Sequence, residues 1–300
     1  MMRLSGGVYA ASLTPMHADL SVAHSALVRH CRWLLNNGCD GIVLLGTTGE
    51  ANSLCTAERM ALLDAVLAAG LPASRIMVGT GCCSVPETIT LTRHALAGGV
   101  CNALMLPPFY YKRIPDEGVF AAFDQVIQAI GSEALQVYLY HFPQMTSVPF
   151  TDALIARLMD AFPRTIVGMK DSSGDFGHMA RVIAAFPELR IFAGTERYLV
   201  DVLRLGGAGC ITATTNITCS LAAAVYADWR RDGVGPQERL TKARAAIEAY
   251  PMIPALKHIM AARTGETAWR AMRPPQAPLE TASATGLLAE IESLLALEST

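Results

Sequence analysis

Charge is scarce in this chain. Of its 300 residues only 17% are Asp, Glu, Lys or Arg, and the formal net charge is −2. Without a basic excess there is little to neutralise a phosphate backbone, which sets nucleic acid aside as a partner. Long apolar runs are missing as well. None reaches the roughly 18 residues that cross a bilayer, and the segment Met1 to Gly7 lacks the apolar stretch of a secretory signal. The expectation is a cytoplasmic protein with no membrane partner. The eight cysteines include no Cys-x-x-Cys pair, and adjacent Cys82 and Cys83 have poor geometry for a disulfide or for joint metal ligation. They read as small core hydrophobes rather than a disulfide framework. No His-Glu-x-x-His or similarly spaced ligand set occurs, so no metal and no cofactor are expected.

What is abundant is hydrophobic residues, at 52% of the chain, enough for one large core. They alternate between short β-branched runs and longer segments of helical period, the signature of repeated βα units. The predicted strands are Val8–Thr14, Gly41–Leu45, Ile76–Gly79, Ala103–Leu106, Gln136–His141, Ile166–Lys170, Arg190–Ala193 and Gly209–Thr212. About eight such strands close a (β/α)₈ TIM barrel, with an open doubly wound sheet as the alternative. Runs apolar on both faces, such as Gly41–Leu45, point to a parallel sheet covered by helices. The predicted helices between them include 26–36, 57–69, 85–97, 116–130, 152–161 and 179–185, with Thr56, Ser84 and Thr151 as caps. Further helices over 222–231, 238–250, 253–263 and 286–297 exceed what one barrel needs. The division expected is therefore a barrel over 1–218 and a C-terminal helical extension over 219–300, with Arg273–Pro278 as an extended connection.

In such a barrel the active site lies at the C-terminal ends of the strands, so polar residues that end a strand are the candidates. Lys170 is one of four lysines (112, 170, 242, 257) against twenty arginines, and it alone closes an apolar strand. A partly desolvated amine there favours its neutral, nucleophilic form, against the plainer readings of a lysine reaching to the rim or pairing with Asp171. Tyr140 ends the preceding strand and can shuttle a proton, unless it is a packing aromatic. His141, next along, should point to the other face and serve structure. The turn Gly46-Thr47-Thr48-Gly49-Glu50 offers two hydroxyls and free amides to a carboxylate, although a Gly-x-x-Gly turn alone is weak. Asp175-Phe176-Gly177 matches a kinase tripeptide without the rest of that signature.

Taken in order, Gly46-Thr47-Thr48-Gly49-Glu50, Pro107-Pro108-Phe109-Tyr110-Tyr111, Tyr140-His141-Phe142-Pro143 and Gly168-Met169-Lys170-Asp171-Ser172-Ser173-Gly174-Asp175 resemble the dihydrodipicolinate synthase / N-acetylneuraminate lyase family. The resemblance spans about residues 6–215. It implies a class I aldolase-type lyase on a TIM barrel, assembled as a tetramer built from tight dimers, acting on small molecules without a cofactor. Lys170 would form an imine with pyruvate or another 2-oxo acid, and Tyr140 would be the acid/base residue. Thr47 and Thr48 would hold the carboxylate beside Gly46, with Thr47 linking Tyr140 into a proton relay. Tyr111, or alternatively Tyr110, would complete that relay from the neighbouring subunit, and the Ile211 carbonyl would face the site.

The resemblance also bears on substrate. In dihydrodipicolinate synthases an arginine two residues after Tyr-x-x-Pro binds the aldehyde's carboxylate, and here that position is Met145. Sialic acid lyases usually have asparagine at the His141 position, and their polyol-binding residues are replaced around Gly194-Thr195-Glu196 and Ala213, where Glu196 could still bind a hydroxyl. Aldol cleavage or condensation of a 2-keto-3-deoxy sugar acid or hydroxy-oxo acid is the leading expectation. A sugar-acid dehydratase, a dihydrodipicolinate synthase and a binding barrel that has lost catalysis are the alternatives.

Overall fold

The computed structural model describes residues 4–232 and 234–295. Eight parallel strands close into a barrel, each bonded to its neighbour in sequence and the last returning to the first: β1 Gly7–Ala11, β2 Gly41–Leu44, β3 Ile76–Gly79, β4 Asn102–Met105, β5 Gln136–His141, β6 Ile166–Asp171, β7 Arg190–Ala193 and β8 Gly209–Thr212. The helices are α1 His24–Asn36, α2 Thr56–Ala68, α3 Val85–Ala97, α4 Asp116–Ile130, α5 Pro143–Thr146, α6 Asp152–Ala161, α7 Phe176–Ala185, α8 Leu199–Arg204, α9 Thr215–Asp232, α10 Val234–Glu248, α11 Met252–Thr264 and α12 Thr281–Leu295. This is the expected TIM barrel with a C-terminal helical extension.

Strand alternation sorts the side chains. Tyr9, Val43, Met77, Leu104, Tyr138, Phe192 and Ile211 fill the barrel, while Val8, Val137, Leu139 and Met169 face outward into the helical layer; Val167 joins the interior where the β5–β6 register shifts and alternation is broken. Glycine makes room for the interior aromatics: a Cβ on Gly168 would stand 2.6 Å from the Tyr138 ring, and one on Gly41 2.4 Å from Tyr9.

Several boundaries differ from expectation for local reasons. Strand β1 stops at Ala11 rather than Thr14 because from Leu13 onward the chain serves partners outside the sheet. The Leu13 amide donates to Asn216 Oδ1 at 3.1 Å, and Thr14 donates to the Gly49 carbonyl at 2.8 Å. Ser84 and Thr151 cap their helices as expected, but Thr56 is the first residue of α2, whose Glu58 instead accepts from the Cys55 amide at 2.9 Å. Asp175 caps α7, which explains the kinase-like tripeptide. Helix α9 starts at Thr215, not Ala222, and packs on β1 as the last helix of the ring, so the division expected at 218/219 falls inside a helix. Helices α10 and α11 pack on α9, and α12 packs on α10 and α11, around Leu240, Ile247, Leu256, Ile259 and Trp269. The predicted final helix is α12, with residues 296 and 297 lying outside the described residues. The 273–278 connection is pinned rather than merely extended: Arg273 pairs with Glu58 of α2 and donates to the Leu20 and Ser53 carbonyls. Its guanidinium, above all, holds the Glu58 carboxyl down at about 2. Of the cysteines, 31, 39, 210 and 219 are buried as expected, whereas Cys55 and Cys83 are exposed.

Candidate active site

Tyr140 and Lys170 are direct partners in the β5–β6 ladder, and both point into the mouth of the barrel. Lys170 Nζ donates to the Tyr140 hydroxyl at 3.3 Å and stands 4.4 Å above that ring's centre. The Tyr140 hydroxyl lies 3.3 Å from Thr47 Oγ1. Lysine and tyrosine are 4% and 3% exposed, so the chain of polar atoms ends deep in the pocket. Distances this long are ordinary for catalytic groups that tighten only around a substrate.

The alternative of an ion pair with Asp171 does not hold. The Asp171 side chain faces outward, where it meets His178 Nδ1 at 2.5 Å and accepts from Ser173 Oγ at 2.6 Å. Burial alone would raise its carboxyl, but these hydrogen bonds outweigh burial and keep it low. Among the described residues no carboxylate stands within ion-pair distance of Lys170, which leaves its amine facing the cavity.

Thr47 and Thr48 reach the cavity through a strained turn. Leu45 and Glu50 on either side have φ of 58° and 55°, and a Cβ on Gly79 would lie 2.1 Å from the Leu45 carbonyl oxygen. The Glu50 amide closes the turn on the Thr47 carbonyl at 3.0 Å. Under it, Lys257 of α11 forms a buried ion pair with Glu50. Sequence reading assigned Lys257 no role; its place in the middle of an apolar helix was the available signal.

The cavity holds about 470 Å³, a size suited to a small metabolite. Its inner end is Thr47, Thr48, Tyr140 and Lys170; its outer wall includes Phe142, Met145, Thr195, Arg197, Arg244 and Glu248. Not every candidate lies there. Gly46 borders only a small hollow beneath Thr47, and the Ile211 side chain is packed in the barrel interior. Glu196 does not reach the cavity: it is fully buried, accepting from Thr214 at 2.5 Å and Arg244 at 2.7 Å, because α10 covers it. Tyr110 and Tyr111 are 72% and 73% exposed, pack on each other and stand away from the cavity within this chain.

His141 faces outward as expected, stacked on His178 at 4.3 Å. Together with Asp171 these make a cluster whose ligand atoms lie within 4.8 Å of one another, which sequence spacing did not reveal because the barrel register assembles it. It is already committed to hydrogen bonds. His141 Nδ1 accepts from the Phe150 amide at 3.2 Å, which puts the ring proton on Nε2, and the parallel rings do not converge on a point.

Comparison with known proteins identifies the family. A sequence profile of the Dihydrodipicolinate synthetase family matches residues 4–294. An uncharacterised DapA-like lyase of Chloroflexus aurantiacus is 36% identical over 293 residues, 97% of each chain. A probable 2-dehydro-3-deoxy-D-pentonate aldolase of Escherichia coli K12 is 30% identical over 270 residues, 87% of each. The crystal structure of dihydrodipicolinate synthase from Agrobacterium tumefaciens superposes with a TM-score of 0.90 at 34% identity, covering 96% of this chain and 99% of that one. With the full barrel and a lysine–tyrosine–threonine set at its mouth, the chain belongs to the dihydrodipicolinate synthetase family and is an aldolase-type lyase.

Proposed function

We propose that the enzyme forms an imine between Lys170 and a 2-oxo acid, and that it cleaves or builds a 2-keto-3-deoxy sugar acid, with pyruvate as the product or partner. The observation that carries this reading is the Lys170–Tyr140–Thr47 chain at the inner end of the cavity. The amine attacks the C2 carbonyl, Tyr140 supplies the proton with which the carbinolamine oxygen leaves as water, and the protonated imine becomes an electron sink. In the cleavage direction Tyr140 takes the C4 hydroxyl proton. The C3–C4 electron pair then moves into the imine, and the aldehyde departs from an enamine. Protonation at C3 and hydrolysis release pyruvate and free Lys170. Lysine itself provides the electrophile, so the cycle calls for no cofactor. Thr47 and Thr48 hold the substrate carboxylate through hydroxyls and turn amides.

The relative named as a pentonate aldolase supports the sugar-acid reading. The Agrobacterium structure is named for condensation with an aldehyde that bears its own carboxylate, but Met145 here is a thioether where that chemistry uses a guanidinium. The exposed Tyr110–Tyr111 pair suits a subunit interface through which Tyr111 joins the partner's relay in a dimer of dimers.

Trapping with pyruvate and borohydride should place a reduced adduct on Lys170, read by mass spectrometry and peptide mapping. Lys170→Ala should retain the fold and lose the adduct, with turnover falling by about 10⁴-fold or more. A persistent adduct in that variant would sink the assignment.

A further inference from the structure

The outer wall of the cavity carries a charge arrangement of its own. Arg244 on α10 donates from Nη1 to the buried Glu196 at 2.7 Å and from Nε to Glu248, one turn along the same helix, at 2.8 Å. Glu248 accepts the Arg197 guanidinium through its other oxygen. Arg197, Arg244 and Glu248 all face the cavity, and Glu196 stands directly behind them. Apart from Lys170, these three carry the charge on the cavity wall among the described residues. Two guanidinium groups are therefore matched by two carboxylates, and the wall is electrically neutral while remaining rich in donors and acceptors.

That neutrality discriminates between aldehydes. A chain ending in a carboxylate needs a cation free of its counter-ion, and each arginine here is already engaged. Leaving water without such a partner is costly for the ionised group. A hydroxylated chain brings no charge. It can donate to Glu248 and accept from the remaining guanidinium N–H groups, while Phe142 and Met145 offer it apolar surface on the cavity wall.

We propose that Glu248, by neutralising Arg197 and Arg244, is the specificity-determining residue that restricts the site to aldehydes with hydroxylated, uncharged chains, and hence to sugar acids bearing a single carboxylate. The inference rests on imine formation at Lys170 and extends it to the second substrate.

The test compares D-glyceraldehyde with succinic semialdehyde in condensation with pyruvate, with borohydride trapping run on every protein. Glu248→Gln frees one guanidinium and should lower the ratio of kcat/KM for glyceraldehyde over the semialdehyde by about tenfold, mostly through KM. The double variant Arg197→Gln/Glu248→Gln is neutral again and should return the ratio to near its wild-type value. A merely structural role for Glu248 predicts something else: both aldehydes suffer alike and the second substitution rescues neither. That result, or an unchanged ratio, with Lys170 still trapped by pyruvate, overturns the proposal. Absence of trapping in the wild-type protein would instead overturn the imine reading on which it stands.

Discussion

Lys257 and Glu50 meet beneath the Gly46–Glu50 turn with side chains 0% and 1% exposed, whereas Arg197 and Glu248 meet at the cavity's outer wall with side chains 41% and 30% exposed. Both pairs join the barrel to the C-terminal helices, and both match opposite charges. They differ in water. The sealed pair offers nothing to a ligand: Lys257 Nζ spends a further hydrogen bond on the Ala271 carbonyl at 2.9 Å, and burial, only partly opposed by Glu50, disfavours its ammonium. Its consequence is a fixed turn, with Thr47 and Thr48 held toward the cavity. The open pair keeps donors and acceptors available, so its consequence is recognition. Identical chemistry thus serves position in one place and selection in the other, and solvent access decides which.

The largest expected effect breaks the sealed pair. Lys257→Met strands the Glu50 carboxylate in the core and should cost about 3–5 kcal/mol of stability by urea denaturation. Adding Glu50→Gln should recover most of that loss, since removing a buried pair altogether is far milder than removing one partner. At the open wall, Arg197→Gln should cost less than about 1 kcal/mol, because exposed ion pairs contribute little. Equal losses at the two sites would remove the distinction drawn between them.

The same contrast governs what could be read before the fold was known. Lys170 and Tyr140 were legible because strand period and strand ends are local: alternation turns both inward, and a parallel ladder sets them side by side. The barrel was legible for the same reason. Glu196 was misread as a substrate contact because its fate is decided by Arg244, 48 residues away on a helix whose docking no local pattern states. The start of α9 was missed because Thr214, Thr215, Asn216 and Thr218 are poor helix formers, yet their side chains are occupied with Glu196, Tyr9, Ala11 and Ala213 around the barrel rim. Lys257 and Glu50 lie far apart in sequence and meet only once the appendage has packed.

A sealed histidine extends the comparison to pH. His30 is buried between Trp33 and Trp269, with Nε2 2.7 Å from Asn216 Oδ1, and burial lowers it to about 4; His141 is likewise lowered to about 4 by burial. Both folded values lie below the ordinary 6.5, so below that pH the unfolded chain binds more protons and stability falls as pH falls. The loss runs from about 6.5 down to about 4, at about 1.4 kcal/mol per pH unit for each histidine. Urea midpoints across that window should show His30→Gln removing about a third to a half of the slope, since His258 is also lowered by burial and adds its own share. An unchanged slope would mean that His30 is not held neutral by its enclosure.

The smallest expected effect asks which side of the cavity reads the aldehyde. Met145 is 61% exposed at the mouth, on the α5 turn rather than on the α10 wall. Met145→Arg adds a guanidinium with no carboxylate assigned to it, and should improve kcat/KM for succinic semialdehyde by at most about tenfold, since an exposed charge is well solvated. The gain should fade as salt rises from about 0.05 to 0.5 M, where screening shortens the reach of exposed charges. The guanidinium freed by Glu248→Gln is partly enclosed and should hold its effect better over the same range. If Met145→Arg instead gave the larger and more salt-resistant gain, selection would belong to the β5 side of the mouth, and the neutral wall of α10 would be a structural clamp like the pair beneath Thr47.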